Sequence, residues 1–126
     1  MKKLPKEQVL LLHYLLCEKT GGDCGVREEA LLDSALGAAF QTFAGEELYP
    51  TLEEKAARLG FSLIANHAFV DGNKRIGVLI TLTFLATNGA PISPSSEEVV
   101  RMGLGVASGK MDYQELLFWI RKHRTA

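Results

Sequence analysis

The sequence is organised around residues 67–75, HAFVDGNKR, which lead directly into the apolar run IGVLITLTFL at residues 76–85. The first stretch combines an imidazole, a carboxylate, an amide and two cations with a glycine that allows a tight turn. From about Asn73 to Asn88 the side chains are apolar on nearly every side, which is typical of a helix enclosed by other helices. We therefore expect a polar loop that opens onto a buried central helix.

The residue types at the start of this helix indicate an anion site. Main-chain N–H groups at a helix N-terminus favour negative charge, and Gly72 lets the chain approach a ligand closely. Asn73 adds an amide, while Lys74 and Arg75 add positive charge. These four residues are the candidate phosphate-binding group.

The other polar residues of the loop fit the chemistry of phosphate transfer. A carboxylate beside bound phosphates most often holds Mg²⁺, which makes Asp71 the candidate metal ligand. His67 is the candidate general base, and Phe69 is interpreted as the hydrophobic anchor of the loop. An ordinary turn over residues 71–74 is the simpler alternative, since Asp, Gly and Asn are common turn residues.

The composition limits the class of protein. A chain of 126 residues is typical of one domain, so we expect a single domain over residues 1–126. With 47% hydrophobic and 23% charged residues, it has the composition of a soluble globular protein. The formal net charge of −1 argues against general affinity for nucleic acid, and no apolar segment has the length of a membrane span. We expect a cytoplasmic protein without nucleic acid or membrane as partner.

The two cysteines, Cys17 and Cys24, are seven positions apart and form no C-x-x-C pair. We expect both to be reduced structural thiols in the cytosol. His13 lies among leucines of the first predicted helix and is interpreted as a packing or surface residue without a functional role.

Apolar periodicity and capping signals predict an all-α domain of six helices around the buried central one. Residues 40–50 have no clean period and should form an irregular flap loop or a short hairpin. Gly60 in the third helix would allow close packing on a neighbour. The predicted helices run from about Lys6 to Glu18, from Arg27 to Ala39, from a cap at Thr51 to His67, from Asn73 to Asn88, from a cap at Ser95 or Ser96 to Ser108, and from a cap at Asp112 into the basic C-terminal turn.

The order His-x-Phe-x-Asp-Gly-Asn-Lys-Arg resembles the signature of the Fic/Doc (Fido) superfamily, in its Doc (death-on-curing) branch. The resemblance extends to residues 25–36, 49–57 and 84–89. It implies an all-α fold and transfer of a phosphate-containing group from ATP to a hydroxyl side chain of a protein. In this resemblance His67 is the general base, Asp71 orients Mg²⁺ on the nucleotide, and the flap before the third helix pairs with the target segment.

Three positions depart from the broad Fic pattern. Ala68 replaces a proline, Val78 replaces a second arginine, and Lys74 replaces a glycine. The last two changes favour the Doc branch. That branch implies a serine/threonine kinase that phosphorylates elongation factor Tu and acts as the toxin of a toxin–antitoxin pair, with a Phd-like antitoxin.

Rival functions remain at this stage. A nucleotidyltransferase (AMPylation) on the same fold would share His67 and Asp71 and differ in which phosphate is attacked. A catalytically inactive binding module would keep the fold. A metal-dependent hydrolase could also use His and Asp, but one histidine without a second ligand at helical spacing is poor support for it.

Overall fold

A computed structural model describes residues 1–124 of the chain. The predicted all-α fold is confirmed, with one small hairpin between the second and third helices. The single domain over residues 1–126 stays a prediction, and Thr125 and Ala126 lie outside the described part of the chain. The elements are α1 (Lys6–Thr20), α2 (Glu29–Ala38), β1 (Thr42–Phe43), β2 (Glu46–Glu47), α3 (Leu52–Asn66), α4 (Asn73–Thr87), α5 (Ser96–Ser108) and α6 (Tyr113–His123).

The centre of the fold is the pair of helices α3 and α4. A Cβ atom added to Gly77 would stand 2.4 Å from Cγ1 of Ile64, and one added to Gly60 would stand 2.0 Å from Oγ1 of Thr81. The two glycines therefore permit the close approach of the helices that Gly60 suggested in the sequence. Helix α4 also packs on α1 and α5, while α3 packs on α2, α5 and α6. The expected buried α4 is confirmed, but it shares the centre with α3.

Three helices begin with cap residues that the sequence predicted, and all three form a capping box, which the sequence analysis had indicated only at Thr51. Thr51, Ser95 and Asp112 each accept a hydrogen bond from the main-chain N–H three residues on. In each case the glutamate at that third position accepts a hydrogen bond from the N–H of the cap residue. These reciprocal bonds satisfy N–H groups that the helix itself leaves unpaired. Ser95, rather than Ser96, is the cap of α5.

The predicted start of the second helix is wrong by two residues. The N–H groups of Arg27 and Glu28 donate to the main-chain oxygen of Ala68, at 2.8 and 3.1 Å. Extended pairing with residues 67–72, the loop between α3 and α4 that we call the motif loop, therefore replaces the first helical turn. The first helix continues to Thr20, and Gly21 ends it in the left-handed conformation, with φ of 78°.

The flap forms a two-stranded antiparallel hairpin, with Thr42 opposite Glu47 and Phe43 opposite Glu46. Ala44 and Gly45 form its turn, and both have positive φ angles, 53° and 82°. This is the backbone conformation of a type I′ hairpin turn.

A buried lysine connects the flap to α3. The Nζ atom of Lys55 lies 2.9 Å from a carboxylate oxygen of Glu47 and also donates to the main-chain oxygen of Tyr49. The Lys55 side chain is only 3% exposed. The flap is thus fixed at its base, while Phe43 near its tip is 75% exposed.

The expectation of two reduced cysteines is wrong. Cys17 and Cys24 form a disulfide, with their Cα atoms 5.5 Å apart. The turn after α1 folds back on the helix and brings the two side chains together. No helix among residues 1–124 is long and apolar enough to cross a membrane.

Candidate active site

His67 is placed at the C-terminal end of α3 in a conformation that few side chains adopt. It is the C-cap residue, with φ of 51° and ψ of 48°, in the left-handed region. Nε of Arg27 donates to its main-chain oxygen at 2.7 Å, and the same guanidinium donates to the oxygen of Asn66 at 3.4 Å. The chain is thereby fixed while the His67 side chain remains exposed to solvent. An exposed imidazole on a fixed backbone is suited to proton transfer.

The loop after His67 is paired with the segment that precedes α2. Val26 and Phe69 form an isolated antiparallel bridge, and the N–H of Val70 donates to the main-chain oxygen of Gly25 at 3.1 Å. Phe69 is 1% exposed, so its ring lies in the core, while its role as the anchor of the loop stays a prediction. The motif loop is therefore a small piece of extended structure rather than an unsupported turn.

Asn73, a predicted phosphate ligand, has its side chain turned into the protein. Its Oδ1 accepts from the N–H of Phe69 at 3.1 Å, and its Nδ2 donates to the Phe69 oxygen at 3.0 Å. The residue is 7% exposed. The side-chain amide thus closes the loop onto the helix, and what Asn73 offers a ligand is its main-chain N–H group.

Asp71, the predicted metal ligand, is exposed on the same loop. Its Oδ2 accepts a hydrogen bond from the N–H of Asp23 at 3.0 Å. Gly22 packs against it so closely that an added Cβ would stand 3.3 Å from the Cβ of Asp71. The turn after α1, which the Cys17–Cys24 disulfide links to that helix, therefore sets the direction of the carboxylate.

His13 is the site residue that sequence reasoning missed. It is buried, with 2% exposure, so of the two alternatives left open by the sequence the packing position is the observed one. Its ring stacks on that of Phe69, with centroids 3.6 Å apart, and its Nε2 lies 2.7 Å from the main-chain oxygen of Asp71. No local pattern marks this contact. The available signal was a lone histidine on an apolar helix face.

The N-terminus of α4 fits an anion. Its cap residue, Gly72, has φ of 81°, and no side chain caps the first turn, which contains no acidic residue. Lys74 and Arg75 are both exposed there. A small depression beside it is lined by Asp71, Gly72 and Arg75 together with residues of α1 and the following turn.

The side chain of Lys74 leaves α4 on a different side from that of Arg75. Its Cβ is 3.9 Å from the position that a Cβ on Gly103 of α5 would take. Lys74 therefore lies on the side of α4 that faces α5, and it does not line the depression with Arg75.

The donor set fits a magnesium ion held jointly with a nucleotide better than a metal bound by protein alone. Within the described 124 residues, no three His, Cys, Asp or Glu side chains are grouped closely enough to hold a metal. Asp71 offers one exposed carboxylate next to a basic helix N-terminus. Mg²⁺ commonly takes one or two carboxylates and completes its coordination with phosphate oxygens and water. The residues present are compatible with that arrangement.

Comparison with known proteins agrees with this geometry. The chain matches the Fic/DOC family over residues 3–85, about two thirds of its length, and it belongs to that family. It is similar to the protein named Toxin Doc of Mycolicibacterium smegmatis, with 45% identity over 73 residues. This match covers 58% of the chain and 56% of the relative. The chain thus matches little more than half the length of that relative, whose name agrees with the Doc branch inferred from the motif.

Proposed function

We propose that this protein is a Doc-type toxin that transfers the terminal phosphate of ATP to a serine or threonine hydroxyl of a protein. The observation that carries the proposal is the placement of His67. It is exposed, it stands on a backbone fixed by Arg27, and it immediately precedes a loop that ends at a basic helix N-terminus. A base, a carboxylate and an anion site thus occur within one short segment.

In the proposed step, an imidazole nitrogen of His67 takes the proton of the target hydroxyl. The hydroxyl oxygen forms a bond to the terminal phosphorus of ATP as the bond between that phosphorus and the ADP oxygen breaks. ADP leaves with the electron pair of the broken bond. The main-chain N–H groups of residues 72–75, with Arg75, bind phosphate oxygens and stabilise their charge.

Asp71 would hold Mg²⁺ together with the nucleotide. The bound cation would neutralise charge on the phosphates. The hydrogen bond from Asp23 to Asp71 keeps one carboxylate oxygen in a fixed direction. Ordering of the carboxylate before the nucleotide arrives lowers the entropic cost of binding.

Lys74 favours phosphate transfer over nucleotidyl transfer. In the family resemblance the nucleotidyl-transferring members have a glycine at this position, where Lys74 adds a charge. Its Cβ faces α5 and not the depression beside Arg75, so the preference rests on this added charge. The nucleotide would then bind with its terminal phosphate toward the hydroxyl. AMPylation of a protein hydroxyl is the second candidate, because it needs the same base and the same carboxylate.

The proposed partners follow from the family and from the named relative. Similarity to Toxin Doc supports a toxin whose activity is blocked by a cognate antitoxin, for which we propose a Phd-like protein that lays a helix into an apolar groove of this domain. Elongation factor Tu is the proposed target, in the cytoplasm. The target segment would pair with the flap by strand addition, through main-chain hydrogen bonds. The exposed side chain of Phe43 is suited to contact a segment bound in this way.

The deciding experiment uses ATP labelled separately at the α and γ phosphates. The protein is incubated with each nucleotide, Mg²⁺ and purified elongation factor Tu, and the modified protein is then examined by mass spectrometry. We expect the γ label on the target and an added mass of one phosphate. Transfer of the α label would instead establish AMPylation.

Two controls separate the remaining outcomes. Cell extract in place of elongation factor Tu tests for another target: labelling only in extract would keep the kinase assignment and overturn the target. No protein-bound label in either setting, with folded protein, would favour an inactive binding module. Expression without an antitoxin should also arrest growth, and normal growth with soluble protein would argue against a toxin.

A further inference from the structure

The contact between His13 and the motif loop has a consequence for ligand binding. The Asp71 oxygen can only accept a hydrogen bond, so the Nε2 atom of His13, 2.7 Å away, carries the proton of this contact. In a trans peptide the C=O and the following N–H point in opposite directions. The hydrogen bond from His13 therefore also fixes the direction of the Gly72 N–H, which points away from the histidine.

We infer that His13 is a positioning residue, which orients the Asp71–Gly72 peptide so that the first amide of the anion site is aimed at the nucleotide phosphates. This inference rests on the proposed function, since it assigns a role at the same site. His13 would not touch the nucleotide. It would act through the peptide that it holds.

The surroundings of the His13 ring hold its contact with the Asp71 oxygen in one geometry. The ring is 2% exposed and stacks on the Phe69 ring with an interplanar angle of 15°. A Cβ added to Gly72 would stand 3.4 Å from Nε2, so the ring lies directly against this glycine. With φ of 81°, Gly72 adopts a conformation in which other residues are strained. A glycine here can adopt several conformations, and the histidine selects one.

Two substitutions separate positioning from packing. His13→Phe keeps an aromatic ring against Phe69 and removes the donor. His13→Gln keeps a donor at similar reach and removes the ring. If His13 only filled space, the glutamine variant would be the more damaged of the two in every measurement.

We expect His13→Phe to melt near the wild-type temperature but to show a roughly tenfold rise in the KM for Mg-ATP, with a smaller change in kcat. His13→Gln should melt at a lower temperature and recover most of the wild-type KM. A wild-type KM in folded His13→Phe, or a KM in His13→Gln no better than in His13→Phe, would overturn the inference.

A measurement without nucleotide keeps this test independent of the reaction. In ¹⁵N-labelled protein, the Gly72 amide resonance should move, and its hydrogen exchange should accelerate, in His13→Phe and not in His13→Gln. If the wild-type protein transfers no phosphate, the proposed function fails, and the amide measurement still decides whether His13 orients the peptide. An unchanged Gly72 amide in His13→Phe would contradict the inference whatever the activity.

Discussion

The Nε atom of Arg27 donates to the main-chain oxygen of His67 across 2.7 Å, although 40 positions separate the two residues. The carbonyl groups at the end of a helix lack partners within the helix and carry its negative dipole. A guanidinium that binds two of them stabilises the end of α3. It also holds His67 in its left-handed conformation, and with it the direction of the imidazole.

Replacement of Arg27 should therefore reduce catalysis more than stability. We expect Arg27→Ala to lower the rate of phosphate transfer at least tenfold and the free energy of unfolding by no more than about 2 kcal/mol, because the side chain is exposed. Arg27→Lys should recover little activity, since an ammonium does not reproduce the fork of donors. Arg101→Ala, which removes another exposed arginine, is the matched control. Equal activity of the two alanine variants would contradict the prediction.

Replacement of His67 should abolish transfer without loss of the fold. His67→Ala removes the candidate base, and its exposed side chain contributes little to packing. Circular dichroism and melting should match the wild type, while the γ-label assay should show no product. His123→Gln alters a histidine that binds Glu98 and Trp119 instead, and it should retain activity. Undiminished turnover in His67→Ala would remove this residue from the mechanism.

Asp71→Asn should preserve the loop and weaken the magnesium dependence. The amide oxygen can still accept the hydrogen bond from the N–H of Asp23, so the shape is retained. The loss of charge should raise the Mg²⁺ concentration needed for half-maximal transfer by tenfold or more. Titration of activity with MgCl₂ measures this. Asp33→Asn, at a surface pair with Lys6, should leave the titration unchanged. The same curve for both variants would rule out a metal role for Asp71.

An added methyl group at Gly77 should destabilise the central pair of helices. In Gly77→Ala the new Cβ would stand 2.4 Å from Ile64 and 3.1 Å from the main-chain oxygen of Gly60. We expect a loss of about 1–3 kcal/mol in the free energy of unfolding, measured by urea denaturation. Gly37→Ala is the control, since nothing lies within 4 Å of its added Cβ. It should be neutral or stabilising by up to about 1 kcal/mol, because alanine favours the helix. A stable Gly77→Ala would show that α3 and α4 can separate at little cost.

Glu98 should contribute to the acid sensitivity of the fold. Hydrogen bonds from the Ser95 main chain and from His123 lower the pKa of Glu98 from 4.5 to about 2. A lowered pKa means stability that is present above the unfolded value and is lost as the pH falls from about 4.5 toward 2. Glu98→Gln should therefore have a melting temperature that falls less steeply across this window. Glu97→Gln leaves Glu98 in place and should keep the wild-type profile. Parallel profiles for Glu98→Gln and the wild type would contradict the assignment.

Local signals in the sequence were sufficient for the number and order of the helices and for the identity of the motif, but not for the start of α2. The capping boxes at Thr51, Ser95 and Asp112 depend on contacts three residues apart, and the burial of α4 follows from a continuous apolar run. The order of residues in 67–75 led to the family, which the match over residues 3–85 confirms. The roles of His67, Asp71 and residues 72–75 in binding and catalysis stay predictions.

Only the tertiary structure decided what supports the motif. Arg27 reaches His67, and His13 reaches Asp71, across separations of 40 and 58 positions that leave no periodic trace in the sequence. The inward turn of the Asn73 side chain also depends on the loop conformation, because its partner is a main-chain group. Hydrogen bonds to main-chain atoms place no demand on the partner's side chain. The sequence could therefore identify the reactive residues, while the residues that hold them in place emerged from the fold.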